Sequence, residues 1–227
     1  MELAKPHVDI GLFTNDRAAQ LKFWGEAVGL PYKQLLKLGG GVRQHRFAAH
    51  GSVVKVNDAR DPLPPSEAGG FRTLLIAKHD LVAPCVLCDP DGNAVELVPK
   101  GDRGVEGIAV RLAASDVALS HRFYTEALAM TPVGPDALRC GDSLVLITQS
   151  PTLVSAGAMK ARGFRYITIQ VRDCDAEHAR LLRAGAVEGH PPTTLGTTAR
   201  VSFVRDPDGN WIEISERASL TGASVAR

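Results

Sequence analysis

A segment that occurs twice constrains the fold of this chain more than any other feature. Residues 89–98 read Asp-Pro-Asp-Gly-Asn-Ala-Val-Glu-Leu-Val, and residues 206–215 read Asp-Pro-Asp-Gly-Asn-Trp-Ile-Glu-Ile-Ser. Proline at the second position and glycine at the fourth are typical of a tight turn. The alternating residues that follow predict a strand, which directs Glu96 or Glu213 toward one face of a sheet. Each glutamate can face either a binding site or solvent, but the repetition itself indicates a duplicated structural unit.

Two further repeats divide the chain into four units. Residues 16–24, which begin with Asp and end with Phe-Trp, recur as residues 116–124, which end with Phe-Tyr, and residues 70–73 recur in part as residues 163–166. Asp16 and Asp116 are suitable N-caps for helices, whereas residues 78–84 are too few for one. We therefore predict an α+β fold of tandem βαβββ units, the second of which lacks its helix. The predicted domains are residues 1–103 and 104–217, followed by a frayed tail over residues 218–227.

Composition limits the classes of function. The chain has 227 residues and a net charge of +1, so it offers no positive surface charge for nucleic acid or an anionic membrane. It contains no run approaching the ~18 apolar residues of a membrane span, and its first residues lack the apolar segment of a signal peptide. Its four cysteines are too few for a disulfide framework. These features predict a cytoplasmic protein that binds neither nucleic acid nor membranes.

The repeated pattern resembles that of the vicinal oxygen chelate superfamily, which includes glyoxalases, bleomycin-resistance proteins and extradiol dioxygenases. The resemblance rests on a strand followed by a helix that begins at Asp16 or Asp116 and contains Phe-Trp or Phe-Tyr, and on the Asp-Pro-Asp-Gly-Asn-x-x-Glu segment. It covers about residues 7–216. It implies two barrel-like half-open sheets, each curled around a cavity, and a small-molecule substrate or ligand. Homodimers are common in this family, so a homodimer is expected on that ground alone.

The resemblance also implies a divalent metal ion, held by histidine and glutamate side chains from the first and last strands of each unit. In the half that ends at Glu96, the corresponding positions hold Asp9, Lys55, Thr73 and Glu96. In the half that ends at Glu213, they hold Ala109, Leu146, Tyr166 and Glu213. Neither set contains the two histidines usual in the family. His7 is predicted to share a strand face with Asp9, so the predicted metal ligands are His7, Asp9 and Glu96.

Two interpretations of the first set remain open. Carboxylate and imidazole ligands would suit Mn, Mg, Fe, Zn or Ni, and the ion would act as a Lewis acid on a substrate oxygen. Alternatively, the Lys55 ammonium pairs with Asp9 or Glu96 and neutralises the carboxylates without any cofactor.

Two functions follow from these interpretations. The first is a metal-assisted lyase, isomerase or dioxygenase that acts on an oxygenated organic substrate, with Glu96, Lys55 and Thr73 as its predicted catalytic residues. The second is a metal-free protein that binds or sequesters a small molecule. The predicted substrate-binding residues are Arg43, His45, Arg111, Tyr166 and Glu213. The polar residues around Glu96 favour a site in the first half, whereas Glu213 is predicted to face a mostly apolar pocket with Tyr166.

Overall fold

Strands are the dominant elements of the computed structural model, which describes residues 1–65 and 69–225. The strands are β1 (Leu3–Thr14), β2 (Tyr32–Gly39), β3 (Val42–Ala49), β4 (Ser52–Ala59), β5 (Phe71–Lys78), β6 (Cys85–Cys88), β7 (Ala94–Pro99), β8 (Ile108–Ala114), β9 (Thr131–Pro132), β10 (Ala137–Cys140), β11 (Ser143–Gln149), β12 (Gly163–Val171), β13 (Val187–Leu195), β14 (Ala199–Arg205) and β15 (Trp211–Arg217). The α-helices are α1 (Arg17–Lys22), α2 (Val117–Arg122), α3 (Cys174–Arg183) and α4 (Ala218–Thr221). A π-helical turn continues α1 over Phe23–Ala27 and α2 over Phe123–Ala127, and a 3-10 helix covers Asp102–Gly104.

The strands form two sheets, each built from two of the predicted units. Sheet A has eight strands in the order β13-β14-β15-β12-β1-β4-β3-β2, and sheet B has seven in the order β6-β7-β5-β8-β11-β10-β9. Antiparallel pairing of β1 with β12 joins the first and fourth units, and pairing of β5 with β8 joins the second and third. The α+β fold is confirmed, and the second unit has no helix between β5 and β6. Sheet B is continuous in sequence, whereas sheet A combines both ends of the chain, so the sheets do not divide at residue 103.

The three longer helical segments begin at aspartates, two of which were predicted as caps. The carboxylates of Asp16, Asp116 and Asp173 each accept a hydrogen bond from the backbone N–H three residues later. Each bond satisfies a donor that a helix start otherwise leaves free. The π-helical turns bury Trp24 and Tyr124. Among the described residues, no helix has the length and hydropathy to cross a membrane.

The repeated Asp-Pro-Asp-Gly turns tie the helices to the sheets. In the second copy, the Asp206 carboxylate accepts two backbone N–H groups of its own turn, the Asn210 side-chain amide and the Tyr124 hydroxyl. Tyr124 belongs to the third unit, which forms part of sheet B, whereas Asp206 lies in the turn between β14 and β15 of sheet A. The first copy has the corresponding bond from Gln20 to Asp89. The segment that dominates the sequence is therefore a structural connection between the two sheets.

The main hydrophobic core lies between the sheets and determines which side chains remain for a site. It includes Ile10 and Leu12 from β1, Val110 from β8, and Trp24, none of which is more than 1% exposed. Because side chains alternate along a strand, the intervening residues of β1 point to the other, concave face of the curled sheet A. This concave face is called the inner face below.

The C-terminal residues differ from the predicted frayed tail. Helix α4 follows β15 directly and contacts both β1 and β15. Val225 is buried, with 1% of its surface exposed. Residues 218–225 therefore close back onto sheet A, and residues 226–227 lie outside the described residues.

Candidate functional site

The inner face of sheet A carries a concentration of buried polar side chains. They come from five adjacent strands and are Gln44, Arg46, Lys55, Asn57, Asp9, Tyr166, Thr168, Gln170, Glu213 and Ser215. None is more than 7% exposed. A cavity of about 270 Å³ opens along this face, with Gln44, Asn57, Tyr166 and Glu213 in its lining. Charged groups are rarely buried without a partner or a use, so this face is the candidate functional site.

Lys55 occupies the centre of the site. Its ammonium group donates hydrogen bonds to Glu213 Oε2 at 2.8 Å and to Thr168 Oγ1 at 2.6 Å. The Thr168 hydroxyl donates to the same Glu213 oxygen at 2.8 Å. Lys55 is 1% exposed and Glu213 is 7% exposed, so the pair is almost completely removed from solvent. Charge-assisted bonds of this kind are stronger than bonds between neutral groups.

Asp9 lies on the same face but is fully engaged by other residues. Its Oδ1 accepts the Val53 backbone N–H at 2.8 Å and the Lys5 ammonium at 2.6 Å. Its Oδ2 accepts the Gln170 side-chain amide at 3.2 Å. Both carboxylate oxygens are therefore used in holding β1, β4 and β12 together.

Tyr166 forms one wall of the cavity because Gly11 leaves room for its ring. A Cβ atom added to Gly11 would lie 2.1 Å from Tyr166 Cζ. The Tyr166 hydroxyl accepts hydrogen bonds from Asn57 Nδ2 at 3.1 Å and Gln44 Nε2 at 3.4 Å. Burial, followed by the Glu213 charge, raises the pKa of Tyr166 far above its usual value, so the side chain stays a phenol that can donate its proton.

Glu96 lies elsewhere, and its predicted grouping with His7 and Asp9 is wrong. It belongs to β7 of sheet B, where it accepts Arg103 Nη2 at 2.6 Å and lies 3.5 Å from Arg111 Nη2. Thr73 lies on β5 of the same sheet. The physical reason is that the first unit pairs with the fourth rather than with the second, which separates Glu96 and Thr73 from the residues of β1 and β4. Glu213, which was predicted to face mostly apolar residues, is the glutamate that bonds to Lys55.

The other predicted residues also lie away from the inner face. His7 Nδ1 lies 3.7 Å from an Asp142 carboxylate oxygen, in the connection between β10 and β11 of sheet B. His45 Nδ1 lies 3.2 Å from the Tyr32 hydroxyl, and alternation along β3 places it opposite Gln44 and Arg46. Arg43 is exposed. On the inner face the structure therefore brings together Asp9, Lys55, Tyr166 and Glu213 from the predicted set, whereas Thr73, Glu96 and Arg111 lie together on sheet B.

Comparisons with known proteins agree with this fold. Residues 108–214 match the family described as the Glyoxalase/Bleomycin resistance protein/Dioxygenase superfamily. The match covers most of the C-terminal half of the chain. Among solved structures, glyoxalase I from Zea mays is similar over 92% of this chain and 92% of its own, with a TM-score of 0.74 and 17% identity. A candidate dioxygenase from Bacillus subtilis subsp. subtilis str. 168 is similar over 95% of this chain and 86% of its own, with a TM-score of 0.65 and 13% identity.

These identities are low enough that the structural similarity establishes the fold alone. Comparison with proteins of curated function finds no match. The superfamily resemblance inferred from the repeats is nevertheless confirmed, because the matched domain contains the second copy of the Asp-Pro-Asp-Gly turn.

The donors on the inner face do not fit the divalent ion that members of this superfamily commonly use. Among residues 1–65 and 69–225, no three His, Cys, Asp or Glu side chains are grouped so that they could hold a metal ion. The Lys55 ammonium already lies between Glu213 and Thr168, where it would repel a dication. One of the two interpretations predicted that Lys55 pairs with a carboxylate. It does so, but the carboxylate belongs to Glu213 rather than to Asp9 or Glu96.

Several cavity residues were not predicted. They are Phe13, Gln44, Asn57, Phe203 and Arg217. Two signals in the sequence could have indicated some of them. Asn57 follows Lys55 by two positions and must share its strand face. Gly11 lies in the middle of a strand, where glycine often marks the close approach of another group.

The charge of Lys55 is expected to change within the experimentally accessible pH range. Burial lowers the pKa of Lys55 from 10.5 to about 8, against the opposing effects of Glu213 and Asp9. Because the pKa is lower in the folded than in the unfolded chain, the contribution of Lys55 to the free energy of unfolding increases as the pH rises from about 8 to 10.5. We expect an NMR titration of labelled lysines, assigned with Lys55→Met, to show this midpoint.

Glu213→Gln provides the matched comparison for this titration. Glu213 raises the pKa of Lys55, so its neutralisation should move the Lys55 midpoint to still lower pH. A midpoint at or above that of free lysine, or one unaffected by Glu213→Gln, would contradict the buried pair.

Proposed function

We propose that this glyoxalase-superfamily protein binds a small organic molecule in the cavity of sheet A without a divalent metal ion. The observation that supports the proposal most directly is the position of Lys55, whose ammonium group bonds to Glu213 and Thr168 inside the site. The ammonium group of Lys55, which is part of the chain itself, neutralises Glu213 and makes a second cation there unfavourable. The cavity is mostly apolar with a few polar groups, which is typical of small-molecule sites.

A metal-assisted lyase, isomerase or dioxygenase remains the competing proposal. It would require open coordination positions and at least three suitable donors. On the inner face, Asp9 directs both oxygens to Lys5, Val53 and Gln170. Glu213 directs one oxygen to Lys55 and Thr168. The available donors therefore favour ligand binding over metal catalysis. A cytoplasmic location and a homodimer stay predictions.

A metal titration tests this proposal. We expect protein purified without chelator to contain substoichiometric metal by elemental analysis, and calorimetry with Mn²⁺, Ni²⁺ or Zn²⁺ to show no saturable binding that depends on Glu213. The matched controls are Glu213→Gln in sheet A and Glu96→Gln in sheet B, since these glutamates occupy equivalent positions of the repeat. One equivalent of metal that is lost in Glu213→Gln but retained in Glu96→Gln would overturn metal-free binding.

A further inference from the structure

The cavity walls indicate what kind of molecule fits. Three aromatic side chains, Phe13, Tyr166 and Phe203, line it, and much of the remaining wall is aliphatic. The rings of Phe13 and Phe203 lie 6.4 and 5.8 Å from the Tyr166 ring, both at steep angles. Aromatic rings favour edge-to-face or offset contacts with one another. A volume of about 270 Å³ is near the lower end of the range for small-molecule pockets, so it suits one or two rings.

Arg217 places a guanidinium group in a cavity wall that also contains Lys160, Glu213 and the amide side chains of Gln44 and Asn57. It is the last residue of β15 and lines the cavity. Its guanidinium forms no hydrogen bond and no ion pair with any residue of 1–65 or 69–225, and its Nε is buried. A buried donor without an acceptor is costly, and guanidinium is shaped to bind a carboxylate with two parallel bonds.

Other unpartnered polar atoms lie along the same face as Arg217. They are Arg46 Nε, Gln170 Oε1 and Ser215 Oγ, and their residues are between 1% and 5% exposed. Ser215 lies two residues before Arg217 on β15, and Arg46 bonds to Gln44, which lines the cavity. Native proteins leave few buried polar atoms without a partner. Several such atoms on one face indicate that a polar group of a ligand, or water bound with it, supplies their missing hydrogen-bond partners.

The charges of the inner face leave a positive excess. Lys5 neutralises Asp9, and Lys55 neutralises Glu213. Arg46 and Arg217 then remain without an ion pair among the described residues. The two side chains are close to each other: burial is the main cause that lowers the pKa of Arg46, and the charge of Arg217 is the second. Two like charges beside one cavity repel each other, and an anion between them would relieve that repulsion.

We infer that the ligand is an aromatic carboxylate of one or two rings, whose acid group pairs with Arg217 and whose ring packs against Tyr166. The inference rests on the proposed metal-free binding function. In this arrangement Phe13 and Phe203 contact the edges of the ring system. The Tyr166 hydroxyl, which already accepts two N–H groups, donates its proton to an acceptor atom of the ligand.

The test compares 2-naphthoate with its neutral isostere 2-naphthamide by isothermal titration calorimetry on the intact protein at neutral pH. Naphthoate is expected to bind with one site per chain, and naphthamide to bind about tenfold to a hundredfold more weakly. Arg217→Gln should weaken naphthoate binding by a similar factor and leave naphthamide binding unchanged. Arg172→Gln is the control, since Arg172 is exposed and pairs with Glu2, and it should have no effect on either compound.

Each other outcome overturns a defined part of the inference. Equal affinity for both compounds would show that the cavity takes the ring but does not select the charge, and metal-free binding would stand. No binding of either compound, or naphthoate binding unchanged in Arg217→Gln, would also reject the aromatic carboxylate. Naphthoate binding that requires added Mn²⁺ and is lost in Glu213→Gln would instead overturn the proposed function.

Discussion

Lys55→Met is expected to lower the free energy of unfolding by about 3–5 kcal/mol, the usual cost of removing one partner of a buried ion pair. The substitution keeps the apolar length of the side chain but removes the ammonium group. Glu213 Oε2 then retains only the Thr168 hydroxyl as a donor, and its charge remains in a site that is 7% exposed. Urea unfolding followed by the fluorescence of Trp24 and Trp211 measures the change, since both indoles are buried.

Two comparisons separate the loss of the ion pair from a non-specific loss of stability. Lys100→Met removes an exposed lysine whose ammonium lies 3.9 Å from Glu106, and such surface changes cost about 0.5 kcal/mol or less. Combining Lys55→Met with Glu213→Leu replaces both charges by apolar groups and should recover much of the loss. If Lys55→Met costs no more than Lys100→Met, the pair does not stabilise the inner face.

Gly11→Ala is expected to distort the cavity wall and to weaken binding of an aromatic ligand by at least tenfold, with a loss of stability of about 1–3 kcal/mol. The new methyl carbon would lie 2.1 Å from Tyr166 Cζ, far inside van der Waals contact. Phe13 and Phe203 lie beside the ring, and a movement that relieves the clash is expected to break the bonds of its hydroxyl to Asn57 and Gln44. Calorimetry with 2-naphthoate and urea unfolding measure the two effects.

Gly25→Ala is the matched control for this substitution. The nearest atom to its added Cβ is a Phe47 ring carbon at 3.8 Å, an ordinary contact. It should therefore leave both ligand binding and stability unchanged or slightly improved, because alanine is the better helix former. Tyr166→Ala is itself destabilising, but adding Gly11→Ala to it should cost little further stability, because the ring that the new methyl group would contact is absent. Gly11→Ala that behaves like Gly25→Ala would contradict the placement of the Tyr166 ring.

Local sequence determines the units of this fold well, and the reason is physical. Caps at Asp16 and Asp116 and the Asp-Pro-Asp-Gly turns act within a few residues, so their effects can be predicted without knowing the rest of the chain. The superfamily resemblance also placed Lys55 and Asp9 in one set, and both lie on the inner face of sheet A. The superfamily pattern then accounted for the curled sheets.

The site could not be predicted to the same extent because it depends on which units pair. Glu96 and Glu213 have the same local sequence, and only their neighbours across the sheet distinguish them. Glu213 meets Lys55 because β12 hydrogen-bonds to β1, whereas Glu96 meets Arg103 and Arg111. Which units pair in a sheet depends on contacts between residues far apart in the chain. The alternation within a single strand does not reveal those contacts.

The order of the strands in sheet A has a consequence for how the protein is made. All strands of sheet B lie between β4 and β12 in the chain, so a ribosome synthesises all of them before β12, the antiparallel partner of β1. Until then the edge of β1 and the charged group of Lys55 lack their final neighbours, and joining them requires closure of a long chain segment, which is slow. We therefore expect the cavity of sheet A to form after sheet B, and a chain that ends before β15 lacks Glu213, the ion-pair partner of Lys55.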